Sequence, residues 1–201
     1  MYKNFASLST LIRSKAKRNI LKELILSPTY PLSLRELARR VHLNVNAVAY
    51  ALEHLEKVQI VTKRKFGKKY LYSFNKDHPF ALSIIDLFHK SYGLGYILFK
   101  QFYSDSTIDF IILTHFFIEN KARGEYDVEV LFIGTPQLLE LNQIMENVEN
   151  TWGKPIAFTV LSPEDTKLRL KRADQFLMGI LSHTHVFVKG DITRLLKLAT
   201  P

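Results

Sequence analysis

Lys63, Arg64, Lys65, Lys68 and Lys69 place five cations within seven consecutive positions, interrupted only by Phe66 and Gly67. Such a run reads either as a solvated surface or as a grip on phosphates. Two smaller groupings carry other chemistry. Asp127 and Glu129 stand two apart in a candidate strand, and the plain reading is a pair of acids on a partly exposed strand. His183 and His185 have the same spacing and could share a face, but no further histidine lies nearby to complete a ligand set, so no metal is expected. No Ser-His-Asp set or phosphate loop is present. The chain has no cysteine, which excludes disulfides, thiolate metal sites and cysteine nucleophiles.

The cations need an element to hold them. β-rich residues before and after Gly67, Ile60 to Thr62 and Tyr70 to Phe74, predict a hairpin with the charge at its tip. Upstream, Ser33-Leu34-Arg35-Glu36 has the pattern of a capping box, in which the Ser33 hydroxyl accepts from the Glu36 amide and the Glu36 carboxylate reaches back to the Ser33 amide. Leu34, Leu37, Ala38 and Val41 follow at helical spacing and leave Arg35, Glu36, Arg39 and Arg40 mostly toward water. His42-Leu43-Asn44 breaks that pattern. Asn44 or Asn46 can cap a second helix, whose apolar stripe is Val48, Ala51, Leu52, Leu55 and Val58. Asn46, Ala47, Tyr50, Glu53, His54 and Lys57 fall on its other face. Leu8 to Leu26 carries an earlier helical period, stopped by Ser27-Pro28.

Helix, turn, helix and basic hairpin, in that order from Leu32 to Phe74, resemble the winged helix-turn-helix repressors of the arsenic-repressor and multiple-antibiotic-resistance type. The resemblance covers about a fifth of the chain. It implies double-stranded DNA as the partner. Asn46, Ala47 and Tyr50 would face base edges near the start of the second helix, with Asn44 and His54 beside them, and Arg64, Lys65, Lys68 and Lys69 would contact phosphates.

Charge separates the chain into parts. Residues 1–78 hold 16 Lys and Arg against 5 Asp and Glu, a net of +11, whereas residues 79–201 hold 12 against 14, a net of −2. A polyanion-binding domain at 1–78 joined to a domain with another task is expected. Residues 79–105 read as an apolar helical linker, either a contact in a homodimer or buried against the C-terminal domain. No apolar run is long enough to span a bilayer, and the N-terminus lacks the features of a signal peptide, so the expectation is a soluble cytoplasmic protein with no membrane partner.

From Thr107 strand candidates alternate with helices. Strands are expected at 108–118, 127–133, 156–161 and 185–189, and helices at 136–148 and 192–198 with one or two more over 163–181, an α/β arrangement around a small mixed sheet. Ala122-Arg123-Gly124, followed closely by Asp127-Val128-Glu129-Val130-Leu131, resembles the start of a minimal nucleotidyltransferase domain. In that family a Gly-Ser turn holds nucleotide phosphates and alternating strand carboxylates ligate magnesium. Here Glu119-Asn120 stands where Gly-Ser would, bringing a negative side chain to the phosphate site, and no acid occurs from Thr151 to Ser162, where a third ligand would lie. The resemblance thus implies a degenerate domain at 106–201. Arg123, Gly124, Asp127 and Glu129 would be its vestigial nucleotide and metal site, with no catalytic residue and no cofactor.

The expected protein is an α/β chain of two domains: a sequence-specific DNA-binding transcriptional regulator whose C-terminal domain serves dimerisation or senses a small-molecule or protein effector. The rival is a magnesium-dependent nucleotidyltransferase recruited by its winged helix, with Asp127 and Glu129 on the metal.

Overall fold

The computed structural model describes residues 8–27, 31–122 and 124–199. The chain divides into two units, Met1–Ser91 and Tyr92–Pro201. It is mixed α/β, with eleven helices and two sheets, of three and four strands, among the described residues.

In the first unit the helical period expected from Leu8 to Leu26 is broken in two, α1 (Leu8–Leu11) and α2 (Lys15–Leu26). The cause is Ser14, whose hydroxyl accepts from the Lys17 amide at 3.3 Å and starts a fresh helix. The Arg18 guanidinium donates to the carbonyls of Ile12 and Arg13 ahead of that cap. After β1 (Leu32–Ser33), α3 (Leu34–Arg40) opens on Ser33, which accepts from the Glu36 amide at 3.4 Å. Only that half of the capping box is used in this way, because the Glu36 carboxylate turns to Arg40 at 3.4 Å. Arg40 is not turned to water as expected. Its side chain is 24% exposed and donates to Glu23 of α2 at 2.8 Å, so it ties α2 to α3.

His42, with φ of +52°, turns the chain into α4 (Val45–Lys57). Val48, Ala51, Leu52 and Leu55 are buried, and α4 packs by that face on α2 and α3. Burying one such leucine stabilises by roughly 1.5–3 kcal/mol. Val58, expected on the same stripe, is 55% exposed because the helix has ended and the position no longer comes round to the core.

β2 (Val61–Phe66) and β3 (Lys69–Phe74) form an antiparallel hairpin, with β1 on the far side of β3. Phe66 pairs with Lys69 across a two-residue turn. Gly67 takes φ of +58° at the first turn position, where a side chain would strain the backbone. α5 (Ala81–Ser91) packs against α2 and buries Phe88 and His89. The segment 79–105 thus contributes α5 to the first unit and α6 (Gly93–Phe102) to the second.

The second unit continues with β4 (Ile108–Leu113), α7 (His115–Ile118), β5 (Val130–Gly134), α8 (Leu138–Trp152) and β6 (Phe158–Leu161). It ends with α9 (Pro163–Lys171), α10 (Gln175–Ser182), β7 (Val186–Lys189) and α11 (Ile192–Lys197). The sheet order is β6-β5-β4-β7; β5 and β6 run parallel and the other pairs antiparallel. β5 is buried along its whole length, which is why it reads as an unbroken apolar run. Gly134 is required at its end, since a Cβ there would lie 2.2 Å from the Thr107 carbonyl oxygen. On β7, Lys189 donates to the carbonyls of Phe102 and Asp105, joining the strand to the end of α6, and burial pushes its pKa down.

Several boundaries differ from expectation. The strand expected to run to Ile118 stops at Leu113, because Thr114 donates through its amide to Glu129 and through its hydroxyl to Val128, and the chain then turns into α7. The next strand starts at Val130 rather than Asp127. Of the one or two helices expected over 163–181, two form, separated at Ala173 (φ +49°) and restarted by Asp174, which accepts from the Leu177 amide.

His89 is 2% exposed, and burial lowers its pKa from 6.5 to about 4. Its folded value lies below its unfolded value, so as pH falls the unfolded chain takes up the proton first. Stability is full above about 6.5 and declines toward pH 4. Urea unfolding at pH 7 and pH 4.5 should show His89→Gln losing about 2–3 kcal/mol less than the unsubstituted protein over this interval. Equal losses would show that His89 is not the group responsible.

Candidate nucleic-acid interface

Burial of the inner face of α4 turns the other face outward. Asn46 and Glu53 are exposed, Tyr50 is 66% exposed, and Ala47 and His54 are half-buried. The His54 ring meets Tyr50 edge-on at a centroid distance of 4.5 Å, which restrains the tyrosine one helical turn earlier. Asn44 is also exposed and caps the helix. Its side-chain oxygen accepts from the Ala47 amide at 2.7 Å, so of the two asparagines able to cap, this one does. Asn46 is left displayed in the first turn.

Along the hairpin, cross-strand pairing sorts the side chains by face. Thr62, Arg64, Phe66, Lys69, Leu71 and Ser73 share one face, and Val61, Lys63, Lys65, Tyr70, Tyr72 and Phe74 the other. The second face enters the core at its base, where Val61, Tyr72 and Phe74 are buried. Lys63 belongs to that base. Its ammonium lies 3.5 Å from the Glu56 carboxylate of α4 and 4.6 Å from the Tyr70 ring centre. Burial pushes the Tyr72 pKa up, against the opposing charge of Lys63. Arg64, Lys65, Lys68 and Lys69 are exposed and make no ion pair among the described residues. The cations thus divide into one that anchors the hairpin and four that remain uncompensated.

The second expected site does not assemble as two acids on one strand face. Asp127 and Glu129 both precede β5. Asp127 accepts from the Gly124 amide at 2.7 Å, closing the loop between them. Glu129 is 7% exposed, accepts from the Ala157 amide at 3.3 Å, and lies 3.8 Å from the Lys154 ammonium. A cleft of about 250 Å³ is lined by Asp127 and not by Glu129. Arg123 lies outside the described residues. Among the described residues, no three His, Cys, Asp or Glu side chains are grouped to hold a metal ion.

That cleft contains a pairing the sequence does not announce. His183 stacks on His115, with ring centres 4.4 Å apart and planes at 24°, and not on His185. His183 Nδ1 is 2.8 Å from the Gly179 carbonyl, and His185 Nδ1 is 2.8 Å from the His183 carbonyl. A carbonyl only accepts, so in both contacts Nδ1 is the donor. His115 is 8% exposed, and burial, then the neighbouring His183, hold its pKa below the usual value. Nothing local marks His115, since its partner comes from the far end of the unit.

No family model, curated protein or solved structure matches the chain. Among the described residues, no helix is long and apolar enough to cross a membrane.

Since Asn44 serves as a cap, Asn44→Ala should lower stability by about 1 kcal/mol in thermal melts without any ligand, whereas Asn44→Asp, which keeps an acceptor at the helix N-terminus, should stay near the unsubstituted value. Equal melting of all three proteins would show that the bond to Ala47 contributes nothing.

Proposed function

We propose that the first unit is a winged helix-turn-helix module that binds duplex DNA, and that the protein is a transcriptional regulator. In this reading α4 enters the major groove with Asn46, Ala47 and Tyr50 toward base edges, and His54 steadies Tyr50. Arg64, Lys65, Lys68 and Lys69 lie along phosphates, where they position the protein without specifying sequence. The observation that carries this reading is the set of four uncompensated cations on a hairpin that follows a helix whose polar face is free. A homodimer would present two such helices to a palindromic site. In a prokaryotic cell this work is done in the cytoplasm.

Each phosphate neutralised releases condensed counterions, so the logarithm of the affinity should fall with the logarithm of salt at a slope of about 0.9 per contact. Replacing Lys65, Lys68 and Lys69 together by Ala should weaken binding to unrelated duplexes alike and reduce that slope by roughly 3 for each bound protomer, as read by fluorescence anisotropy from about 50 to about 300 mM salt. Unchanged affinity and slope would remove the hairpin from the interface.

We infer further that the second unit serves assembly or effector sensing and does not transfer nucleotides. The reading is supported by the use of both acids as acceptors for backbone amides, at Gly124 and at Ala157. Incubation with magnesium and each labelled nucleoside triphosphate should leave protein, small molecules and RNA unlabelled. Transfer that disappears in Asp127→Asn would establish the enzyme instead.

A further inference from the structure

Phosphate contact needs charge, yet the hairpin tip also presents an apolar ring. Phe66 is 73% exposed and stands directly before the turn at Gly67. The other exposed rings on α4 and the hairpin have partners: Tyr50 meets His54 at 4.5 Å, and Tyr70 lies 4.6 Å from the Lys63 ammonium. Phe66 makes no ring or cation contact among the described residues. Its neighbours on the same strand face are Arg64 and, directly across the ladder, Lys69.

We propose that Phe66 is a wedge that enters the minor groove of duplex DNA, partly unstacks one base step and bends the duplex. The proposal rests on the DNA-binding reading above and adds to it a second mode of recognition. Size supports it first. The minor groove is about 6 Å wide, while hairpin strands about 4.8 Å apart carry side chains on both faces. The body of the hairpin is therefore too broad for an undeformed groove, and a single side chain at its tip is not.

Reach and charge agree. From Lys63 to Phe66 the strand is exposed, and at about 3.4 Å per residue this stretch advances roughly 10 Å. Arg64 and Lys69 flank the ring on its own face and would hold the phosphates on either side of the opened step. Phenylalanine has no hydrogen-bonding edge, so the wedge reads deformability and not base identity, which favours flexible pyrimidine–purine steps over stiff A-tracts. Single-stranded nucleic acid fits less well, because that mode stacks successive bases on several rings along a groove, and here one ring is unengaged.

The test uses the full chain and two dye-labelled duplexes, one with a central TA step and one with a central A-tract, with bending read by energy transfer between the ends. The unsubstituted protein should bend the TA duplex more. Phe66→Ala should abolish that difference and weaken TA-duplex binding about 10-fold, with the salt slope unchanged, and Phe66→Trp should retain the bend. Lys65→Ala should do the opposite, lowering the slope and keeping the bend. Bending and affinity that survive Phe66→Ala would overturn the wedge, as would an equal Phe66 dependence on single-stranded DNA. Failure of the unsubstituted protein to bind any duplex would instead overturn the DNA-binding reading itself.

Discussion

An α-helix turns about 100° per residue, so whatever it buries on one side dictates what it shows on the other. In α4 the buried side is Val48, Ala51, Leu52 and Leu55, none more than 4% exposed. Their packing on α2 and α3 leaves Asn46, Tyr50 and Glu53 with no direction but outward. The supports are a serine cap for α3 and an asparagine cap for α4, both local, and Arg40 held between Glu36 of its own helix and Glu23 of α2. The proposed reading face is therefore a consequence of core formation and needs no packing of its own.

The hairpin is built by the opposite logic. Its base is fastened by Lys63, which satisfies Glu56 and covers Tyr70, while its tip concentrates charge without compensation. Like charges so placed repel weakly in water and more strongly as the surroundings dry. Such a tip is stable in solvent but gains most beside a polyanion. Exposed position and a turn closed by Gly67 keep this charge from perturbing the core.

In the second unit the acids ahead of β5 serve the backbone around them. Asp127 folds back on Gly124, and Glu129 serves the Ala157 amide beside the first residues of β6. A carboxylate committed to backbone amides has fewer lone pairs for a cation, and two that line different surroundings do not chelate. The His115–His183 stack belongs to the same region, and burial together with the neighbouring His183 lowers the His115 pKa.

Sequence alone determined the features that depend on residues within a turn or two of one another. The mixed α/β class, the helical stripe at Val48, Ala51, Leu52 and Leu55, the cap at Ser33, the turn at Gly67 and the basic run were all legible, because periodicity, capping and turn chemistry act over about four residues. Tertiary structure decided the rest. Whether Arg40 faced water depended on Glu23 in another helix, where β4 stopped depended on Thr114 reaching Val128 and Glu129, and the role of Glu129 depended on Ala157. His115 found its partner in His183 for the same reason: hydrogen bonds and stacking between elements link positions far apart in the chain, and no local pattern encodes which distant group will arrive.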